Sequence, residues 1–261
     1  NMRIYADNFL SAAKLLDKDR QYRPFPAAMT QGYAFRQFAD KTQLQAAAAD
    51  WLAAALRDAI ARRGSAVFMG SGGSTPGPIY ESLSNADLDW SHVQIGLCDE
   101  RWVDPDHPAS NAAMVMRTLL QNQAAAADFV PMKTLGKDPF AAIDEVNDRY
   151  LDAALTDVML LGMGPDAHTL SWFQGGRGYK DAVSADTTSV VAAVEAIESD
   201  VTGPNLLRMT LTQPCVAYAR SILLLITGEK KKKVFETAPE SAPVSVMKRA
   251  AGDALTVYYC D

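Results

Sequence analysis

The sequence predicts an α/β fold with a mostly parallel sheet that is covered by helices on both faces. Short continuous apolar runs, such as residues 158–161 and 221–227, are typical of strands buried in a parallel sheet. Helical patterns of about 10 to 20 residues lie between these runs. Several runs end in glycine-rich or charged segments, and open α/β sheets bind ligands at such places. The expected arrangement is therefore Rossmann-like.

Composition narrows the class of protein further. The 261 residues are 48% hydrophobic, which predicts a single domain over residues 1–261 with a sizeable core. Within it, residues 1–32 form an N-terminal extension to which the sequence assigns no role. The net charge of −6 predicts no nucleic-acid partner and no anionic membrane surface. We expect no membrane span and no signal peptide, because no apolar stretch reaches about 18 residues and the N-terminus lacks a basic region before an apolar one.

Cysteine usage favours a reducing compartment. The three cysteines, Cys98, Cys215 and Cys260, are an odd and sparse set without a Cys/His cluster. Neither a disulfide framework nor a zinc site is therefore expected. The predicted location is the cytoplasm, and no bound metal ion is expected.

Several predicted helices are marked by start or stop residues such as proline, an N-cap or glycine. Residues 7–16 fit a short amphipathic helix, and Pro24 and Pro26 interrupt the pattern after it. Residues 42–63 carry one apolar stripe at helical spacing, with Thr42 as the expected N-cap and Gly64 as the stop. Strands are expected at residues 33–38, 65–69, 93–98, 158–161, 189–194, 208–211, 221–227 and 255–260. Further helices are expected after Pro78, at 111–120 and 139–155, after Pro214 and from Lys230.

Two loops carry residues suited to binding an anionic sugar. The strand at 65–69 runs into GSGGSTPGP, and glycines let backbone N–H groups approach an anion near a helix N-terminus. The loop lacks the Gly-Lys-Ser/Thr of a Walker A sequence and is not GxGxxG. The strand at 93–98 ends in Asp99-Glu100-Arg101, charged residues that are costly to bury unless they are paired or used. A local ion-pair cluster is the alternative for this second segment.

The stretch at 157–176, DVMLLGMGPDAHTLSWFQGG, carries the candidate general base. Gly162, Gly164 and Pro165 end the apolar run, and we expect a capped helix to follow. His168 is suited to general-base chemistry near pH 7. Asp166 lies two residues away, and two roles stay open for it: orienting the imidazole or binding a substrate hydroxyl. His92 and His107 are expected at the surface or at the rim of the site.

Four segments in order resemble the glucosamine-6-phosphate isomerase/6-phosphogluconolactonase family. They are the glycine-rich loop at 71–76, Asp-Glu-Arg at 99–101 with Ser-Asn at 110–111, the stretch 160–175, which is similar to LLGMGPDGHTASLFPG, and RMTLT at 208–212 followed by Gly-x-x-Lys at 228–231. Order and spacing agree from about residue 33 to the end. The resemblance implies a phosphogluconolactonase-like fold and no cofactor.

The implied activity is hydrolysis of 6-phospho-D-glucono-1,5-lactone to 6-phosphogluconate, the second step of the oxidative pentose phosphate pathway, by His-assisted attack of water. The implied partner is this small phosphosugar lactone, and the oligomeric state is monomer or dimer. Asp99 either contacts sugar hydroxyls or pairs with Arg101, and Arg101 is a further phosphate or carboxylate contact. The expected catalytic residues are His168 and Asp166, and the expected substrate-binding residues are Ser71, Gly72, Gly73, Ser74, Thr75, Asp99, Arg101, Arg208 and Lys231.

Two other functions stay open. The first is a glucosamine-6-phosphate deaminase/isomerase, whose members carry an acidic residue shortly after the histidine in a stretch like FNEPG. Here residues 172–175 read WFQG and contain no carboxylate. The second is a non-catalytic sugar-phosphate-binding domain. It is raised by Ala167, which stands where the family usually has Gly and would cost about 1 kcal/mol or more if φ is positive. Leu170, Trp172 and Gln174 also depart from the family pattern.

Overall fold

The computed structural model describes residues 32–261, so the expected helix at 7–16 lies outside the described residues. The strands are β1 (Ala34–Gln37), β2 (Ala66–Gly70), β3 (Val93–Leu97), β4 (Asp99–Arg101), β5 (Asp128–Phe129), β6 (Val158–Gly162), β7 (Val191–Glu195), β8 (Leu207–Leu211), β9 (Ser221–Thr227) and β10 (Leu255–Cys260). The helices are α1 (Lys41–Arg63), α2 (Pro76–Leu83), α3 (Asn111–Thr118), α4 (Ile143–Arg149), α5 (Tyr179–Ala182), α6 (Gln213–Tyr218), α7 (Glu229–Thr237) and α8 (Pro243–Ala251).

The main sheet has seven parallel strands in the order β1-β10-β9-β6-β2-β3-β5. Successive side chains of a strand point to opposite faces, and every residue of β2 is buried. The same holds for the first four residues of β6 and the middle five of β9. Both faces of the sheet centre are therefore covered, as the continuous apolar runs predict. The predicted α/β class with a mostly parallel sheet is confirmed.

A second, three-stranded antiparallel sheet has the order β4-β8-β7. The expectation that Asp99-Glu100-Arg101 belongs to the loop after a strand is wrong, because these residues form β4. The chain passes from the main sheet to the small sheet at Cys98, whose N–H donates to the carbonyl of Gly70 in β2. In the small sheet, Asp99 then pairs with Thr210 and Arg101 with Arg208. The pairing satisfies the backbone of a polar segment that sequence pattern alone would leave in a loop.

Helix α1 matches the predicted helix at 42–63, but its N-cap is not Thr42. Asp40 is the cap, because its side chain accepts a hydrogen bond from the N–H of Gln43 at 2.8 Å. Gly64 ends the helix in the left-handed conformation, as expected.

The expected helix directly after β6 does not form. Residues 163–176 are a series of turns in which Ala167 has φ 68°, Leu170 has φ 51° and Gly175 has φ 87°. Positive φ at these positions is incompatible with a right-handed helix. Ala167 therefore occupies the strained conformation that makes Gly the usual residue there.

The strand order of the main sheet reverses direction between β2 and β6. These two strands pair directly, but the next strand of the main sheet along the chain is β3, on one side, after β2, and β9, on the other side, after β6. The loops that follow them diverge at the carboxyl edge of the sheet. Ligands of open α/β sheets bind at such a switch point.

Candidate active site

The loop after β6 presents His168 together with Asp166. His168 Nδ1 lies 2.5 Å from Asp166 Oδ1, and the same oxygen is 3.3 Å from the N–H of His168. A carboxylate only accepts hydrogen bonds, so Nδ1 carries the hydrogen and Nε2 is left to exchange a proton. Within the described residues, Nε2 forms no hydrogen bond. The imidazole side chain is 21% exposed, so solvent and a ligand can reach it.

Gly164 makes room for this pair. A Cβ at Gly164 would lie 2.2 Å from His168 Cε1 and Nδ1 and 2.5 Å from Asp166 Oδ1. Any other residue here would displace the imidazole. The glycine of GMGPDAH therefore lets the imidazole of His168 pack directly against the backbone at Gly164.

The pKa of the Asp166 carboxyl group lies below its ordinary value. Partial burial is the largest single effect and raises the pKa, but the side-chain hydrogen bond from His168, the charge of that ring and backbone hydrogen bonds together outweigh it. Asp166 is therefore ionised at neutral pH and holds the hydrogen of the imidazole at Nδ1.

The loop after β2 brings backbone and small residues to the same edge. Ser71 is buried, and its hydroxyl donates to the carbonyl of Leu160 in β6 at 2.7 Å, which ties the two strands together. Gly73 has φ 105°, a conformation that favours glycine. Ser74 is exposed and Thr75 is half-buried at the start of α2. Gly72 is in close contact with Asn111, because a Cβ at Gly72 would fall 1.8 Å from Asn111 Oδ1.

Asn111 connects the glycine-rich loop to β4. Its Nδ2 donates to the backbone carbonyl of Asp99 at 2.8 Å. The Asp99 side chain in turn accepts a hydrogen bond from the hydroxyl of Ser171 at 2.6 Å. Ser171 belongs to the same turns as His168, so contacts run unbroken from Gly72 to the loop that carries the candidate base.

Arg101 and Arg208 lie opposite each other in the β4–β8 pair. Arg101 donates to the carbonyl of Ala109 at 2.7 Å and Arg208 to that of Thr202 at 2.9 Å. Within residues 32–261 neither guanidinium forms an ion pair, and the Nε of each is buried without a hydrogen-bond partner. Burial and the charge of Arg101 lower the pKa of Arg208 to about 10. Two adjacent, partly unsatisfied guanidinium groups are chemically suited to an anion.

Phe173 joins the arginine pair to the candidate base. Its ring centroid lies 4.6 Å from that of His168, and the Arg208 guanidinium carbon lies 5.8 Å from the same ring. Lys231, in α7, is close enough to Asp166 for the carboxylate to act on its charge. Burial lowers the pKa of Lys231 and the Asp166 charge partly opposes this. A third cation, besides the two arginines, therefore lies near Asp166 and His168.

The predicted site residues thus fall into one connected region at the carboxyl edge of β2 and β6. Three contributors were missed as site residues: Asn111, Ser171 and Phe173. The Ser-Asn pair after Asp-Glu-Arg and the position of Ser171 three residues after His168 were the available signals. His92 is exposed and pairs with Asp89 at 2.9 Å, away from this region, as expected.

No group of three or more His, Cys, Asp or Glu residues within 32–261 has an arrangement that could hold a metal ion. Among the described helices, none is both long and apolar enough to cross a membrane. The three cysteines are buried and unpaired.

Comparison with known proteins identifies the family. Residues 39–256 match the family model of glucosamine-6-phosphate isomerases/6-phosphogluconolactonase. The chain belongs to this family. A 6-phosphogluconolactonase from Rhizobium meliloti is 38% identical over 229 residues, which are 85% of this chain and 96% of the relative. One from Neisseria meningitidis serogroup A is 33% identical over 238 residues, or 88% of this chain and 100% of the relative.

Solved structures of the family have the same fold. The crystal structure of a 6-phosphogluconolactonase from Shewanella baltica aligns with a TM-score of 0.81 at 31% identity, covering 90% of this chain and 100% of that one. A putative 6-phosphogluconolactonase from Neisseria gonorrhoeae aligns with a TM-score of 0.79 at 31% identity, over 88% and 100%. The resemblance stated from four motifs is confirmed, and so is the prediction that the chain is an enzyme of this family.

Proposed function

We propose that the protein is a 6-phosphogluconolactonase that hydrolyses 6-phospho-D-glucono-1,5-lactone to 6-phosphogluconate, the second step of the oxidative pentose phosphate pathway, in the cytoplasm. The observation that carries the proposal is the His168–Asp166 pair, which Phe173 connects to the paired guanidinium groups of Arg101 and Arg208. A phosphosugar lactone needs both features: an anion site for its phosphate and a base for the water that opens its ring.

The phosphate binds at Arg101 and Arg208, with Lys231 as an additional cation. Arginine binds phosphate oxygens bidentately, and the described protein leaves both guanidinium groups only partly satisfied, since the buried Nε–H of each has no partner there. The backbone of Gly72, Gly73 and Ser74 supplies further N–H donors, and Thr75 its hydroxyl. Ser71 contributes through its backbone, because its hydroxyl is engaged with Leu160. Binding the remote phosphate fixes the lactone carbonyl near His168.

Hydrolysis proceeds by general-base catalysis. His168 Nε2 takes a proton from water as the water oxygen attacks the lactone carbonyl carbon, C1. The carbonyl π electrons move to the oxygen, which gives a tetrahedral oxyanion. When this intermediate collapses, the bond between C1 and the ring oxygen breaks, and the imidazolium returns its proton to that oxygen. Asp166 keeps the hydrogen on Nδ1 and stabilises the imidazolium through these steps.

The test is an assay with freshly made lactone, with the spontaneous opening subtracted, alongside glucosamine 6-phosphate. We expect lactone hydrolysis by the wild type. His168→Ala should lower kcat by about 10²-fold or more with a small change in KM. His92→Ala is the matched control, because His92 is an exposed histidine paired with Asp89.

Each alternative predicts a different result in this assay. Ammonia release from glucosamine 6-phosphate would reassign the protein to the deaminase branch. Tight binding of 6-phosphogluconate with no turnover of the lactone would indicate a binding domain. A His168→Ala variant with wild-type kcat would refute the assignment of the base.

A further inference from the structure

Ser171 has an unusual position for a buried hydroxyl. Its side chain is fully buried, and Oγ donates to Asp99 Oδ2 at 2.6 Å. Its backbone N–H donates to Thr210 Oγ1 at 3.2 Å. Both partners lie on the small antiparallel sheet, whereas Ser171 itself belongs to the turns that follow β6. The hydroxyl therefore connects the loop that carries His168 to the Asp99 carboxylate in β4 of the small sheet.

Asp99 is left with unused acceptor capacity. It is only 8% exposed, and its side chain has one hydrogen bond, the one from Ser171. Oδ1 accepts nothing from residues 32–261, although it is not sealed from solvent. An ionised carboxylate offers about four acceptor positions, and buried ones are normally satisfied. The free oxygen is suited to a ligand hydroxyl.

The strand geometry explains why Asp99 needs to be held. Side chains alternate along a strand, so Asp99 and Arg101 share one face of β4, and Arg208 lies opposite Arg101 on that face. A carboxylate beside two unpaired guanidinium groups is strongly attracted to them. Within the described residues, however, Asp99 forms no ion pair with either arginine. Its partner is the neutral hydroxyl of Ser171.

We propose that Ser171 is a positioning residue whose hydroxyl holds Asp99 Oδ2, so that Oδ1 accepts a hydroxyl of the sugar and the carboxylate stays away from Arg101 and Arg208. This inference rests on the proposed function. Removal of the hydroxyl frees Asp99 to rotate toward the arginines. Such a rotation withdraws the hydroxyl acceptor and neutralises part of the phosphate site, so substrate capture falls while proton transfer at His168 is preserved.

The variant that tests this is Ser171→Ala, and the matched control is Thr169→Val. Thr169 is a buried hydroxyl residue of the same loop, and its Oγ1 donates to the carbonyl of Gly162 in β6 at 2.9 Å rather than to a residue of the small sheet. We expect Ser171→Ala to raise KM by about tenfold, typical of a lost hydrogen bond to a charged group, with kcat within about threefold. Thr169→Val should leave KM within about twofold.

A double-mutant cycle separates positioning from a general effect on the loop. In an Asp99→Ala background Ser171 has nothing to hold, so adding Ser171→Ala should change kcat/KM by less than about twofold. If Asp99→Ala does not fold, Asp99→Asn serves: Ser171 can still donate to its amide oxygen, but the neutral side chain is not drawn to the arginines and its Nδ2 accepts no hydrogen bond from a sugar hydroxyl, so loss of the Ser171 hydroxyl should again change kcat/KM little. A tenfold effect of Ser171→Ala in the double variant, or an equal KM effect of Thr169→Val, overturns the proposal.

Binding of 6-phosphogluconate, followed by thermal shift, gives a second readout that needs no turnover. We expect the same cycle there: weaker binding in Ser171→Ala and no further loss in the double variant. An inactive wild type refutes the proposed function, while this binding cycle still decides the role of Ser171. An active wild type with additive effects refutes only the role of Ser171.

Discussion

Substitution of Gly164 by alanine tests the geometry of the candidate base most directly. The added Cβ would meet His168 Cε1 and Nδ1 at 2.2 Å and Asp166 Oδ1 at 2.5 Å. Ordinary contacts with a Cβ begin near 3.4 Å. The imidazole must therefore move away from Gly164 by about 1.2 Å or rotate to another side-chain conformation, since a side chain yields more readily than the backbone. A displacement of about 1 Å in a catalytic group costs about 10²-fold in rate.

The cost should fall on the chemical step rather than on folding. His168 is 21% exposed and can turn toward solvent without opening a cavity in the core. We therefore expect Gly164→Ala to lower kcat for lactone hydrolysis by about 10²-fold, while the unfolding temperature falls by only a few degrees. The assay is steady-state hydrolysis of fresh lactone together with a thermal melt of the same preparation.

Gly162→Ala is the control for this variant. Gly162 ends β6 two residues earlier, and a Cβ there would have nothing within 4 Å. We expect it to retain activity. A wild-type kcat in Gly164→Ala would show that His168 does not act from its position against Gly164. An equal loss of kcat in Gly162→Ala would show that any substitution at this strand end is harmful. Either result would refute the reasoning.

Three further predictions concern the charged groups. Glu100→Ala should lower the free energy of unfolding by about 3 kcal/mol in a denaturant titration, because this buried carboxylate accepts the first N–H groups of α3; an unchanged midpoint would contradict this. 6-Phosphogluconate at 100 times its Kd should stabilise the wild type by about 2.7 kcal/mol in a thermal shift, and Arg208→Gln should respond less at the same concentration; equal shifts would contradict the anion site. The lowered pKa of Asp166 means that its ionised form stabilises the fold above about pH 4, and that this stability is lost as pH falls through the folded-state pKa. Asp166→Asn should therefore lose less stability than the wild type between about pH 5 and 2 in acid titrations, and parallel curves would refute this.

The main sheet was predictable because its strands are continuous apolar runs. The predicted ranges 221–227 and 255–260 coincide with β9 and β10, and 158–161 falls one residue short of β6. Such runs are buried on both faces, so pattern and structure coincide. The two site loops were predictable for the same reason, because each follows one of these strands at the edge where ligands bind.

Elements that depend on a distant partner were less predictable. The expected helix at 139–155 is regular only over Ile143–Arg149, since the Asp138 side chain holds the N–H of Phe140 in a turn and the end tightens into a 3₁₀ turn. Helix α8 was not predicted, although Pro243 in its first turn is a start signal. The turns at 163–176 are set by Ser171 and Trp172, which bond the small sheet, and no local pattern reports such contacts.

The segment Asp99-Glu100-Arg101 shows how three consecutive charges are given separate tasks. In a loop, nothing would keep the two carboxylates away from the Arg101 guanidinium, and ion pairs among the three residues are the simplest expectation. In a strand, alternation sends Glu100 to the face opposite its neighbours, where it caps α3. Its carboxylate is then held by backbone N–H groups and forms no ion pair with either arginine within the described residues, although its charge still acts to raise the pKa of Arg208.

The neighbouring face is left with Arg101, Arg208 and a carboxylate that Ser171 holds apart. Within the described residues, both guanidinium groups are therefore kept without an ion pair, although the protein carries a net charge of −6. Such an arrangement is costly without a ligand, because each unpaired guanidinium is partly desolvated beside another cation. Under the proposed function, a phosphate bound at these arginines offsets that cost, and this relief contributes to the binding free energy of the substrate.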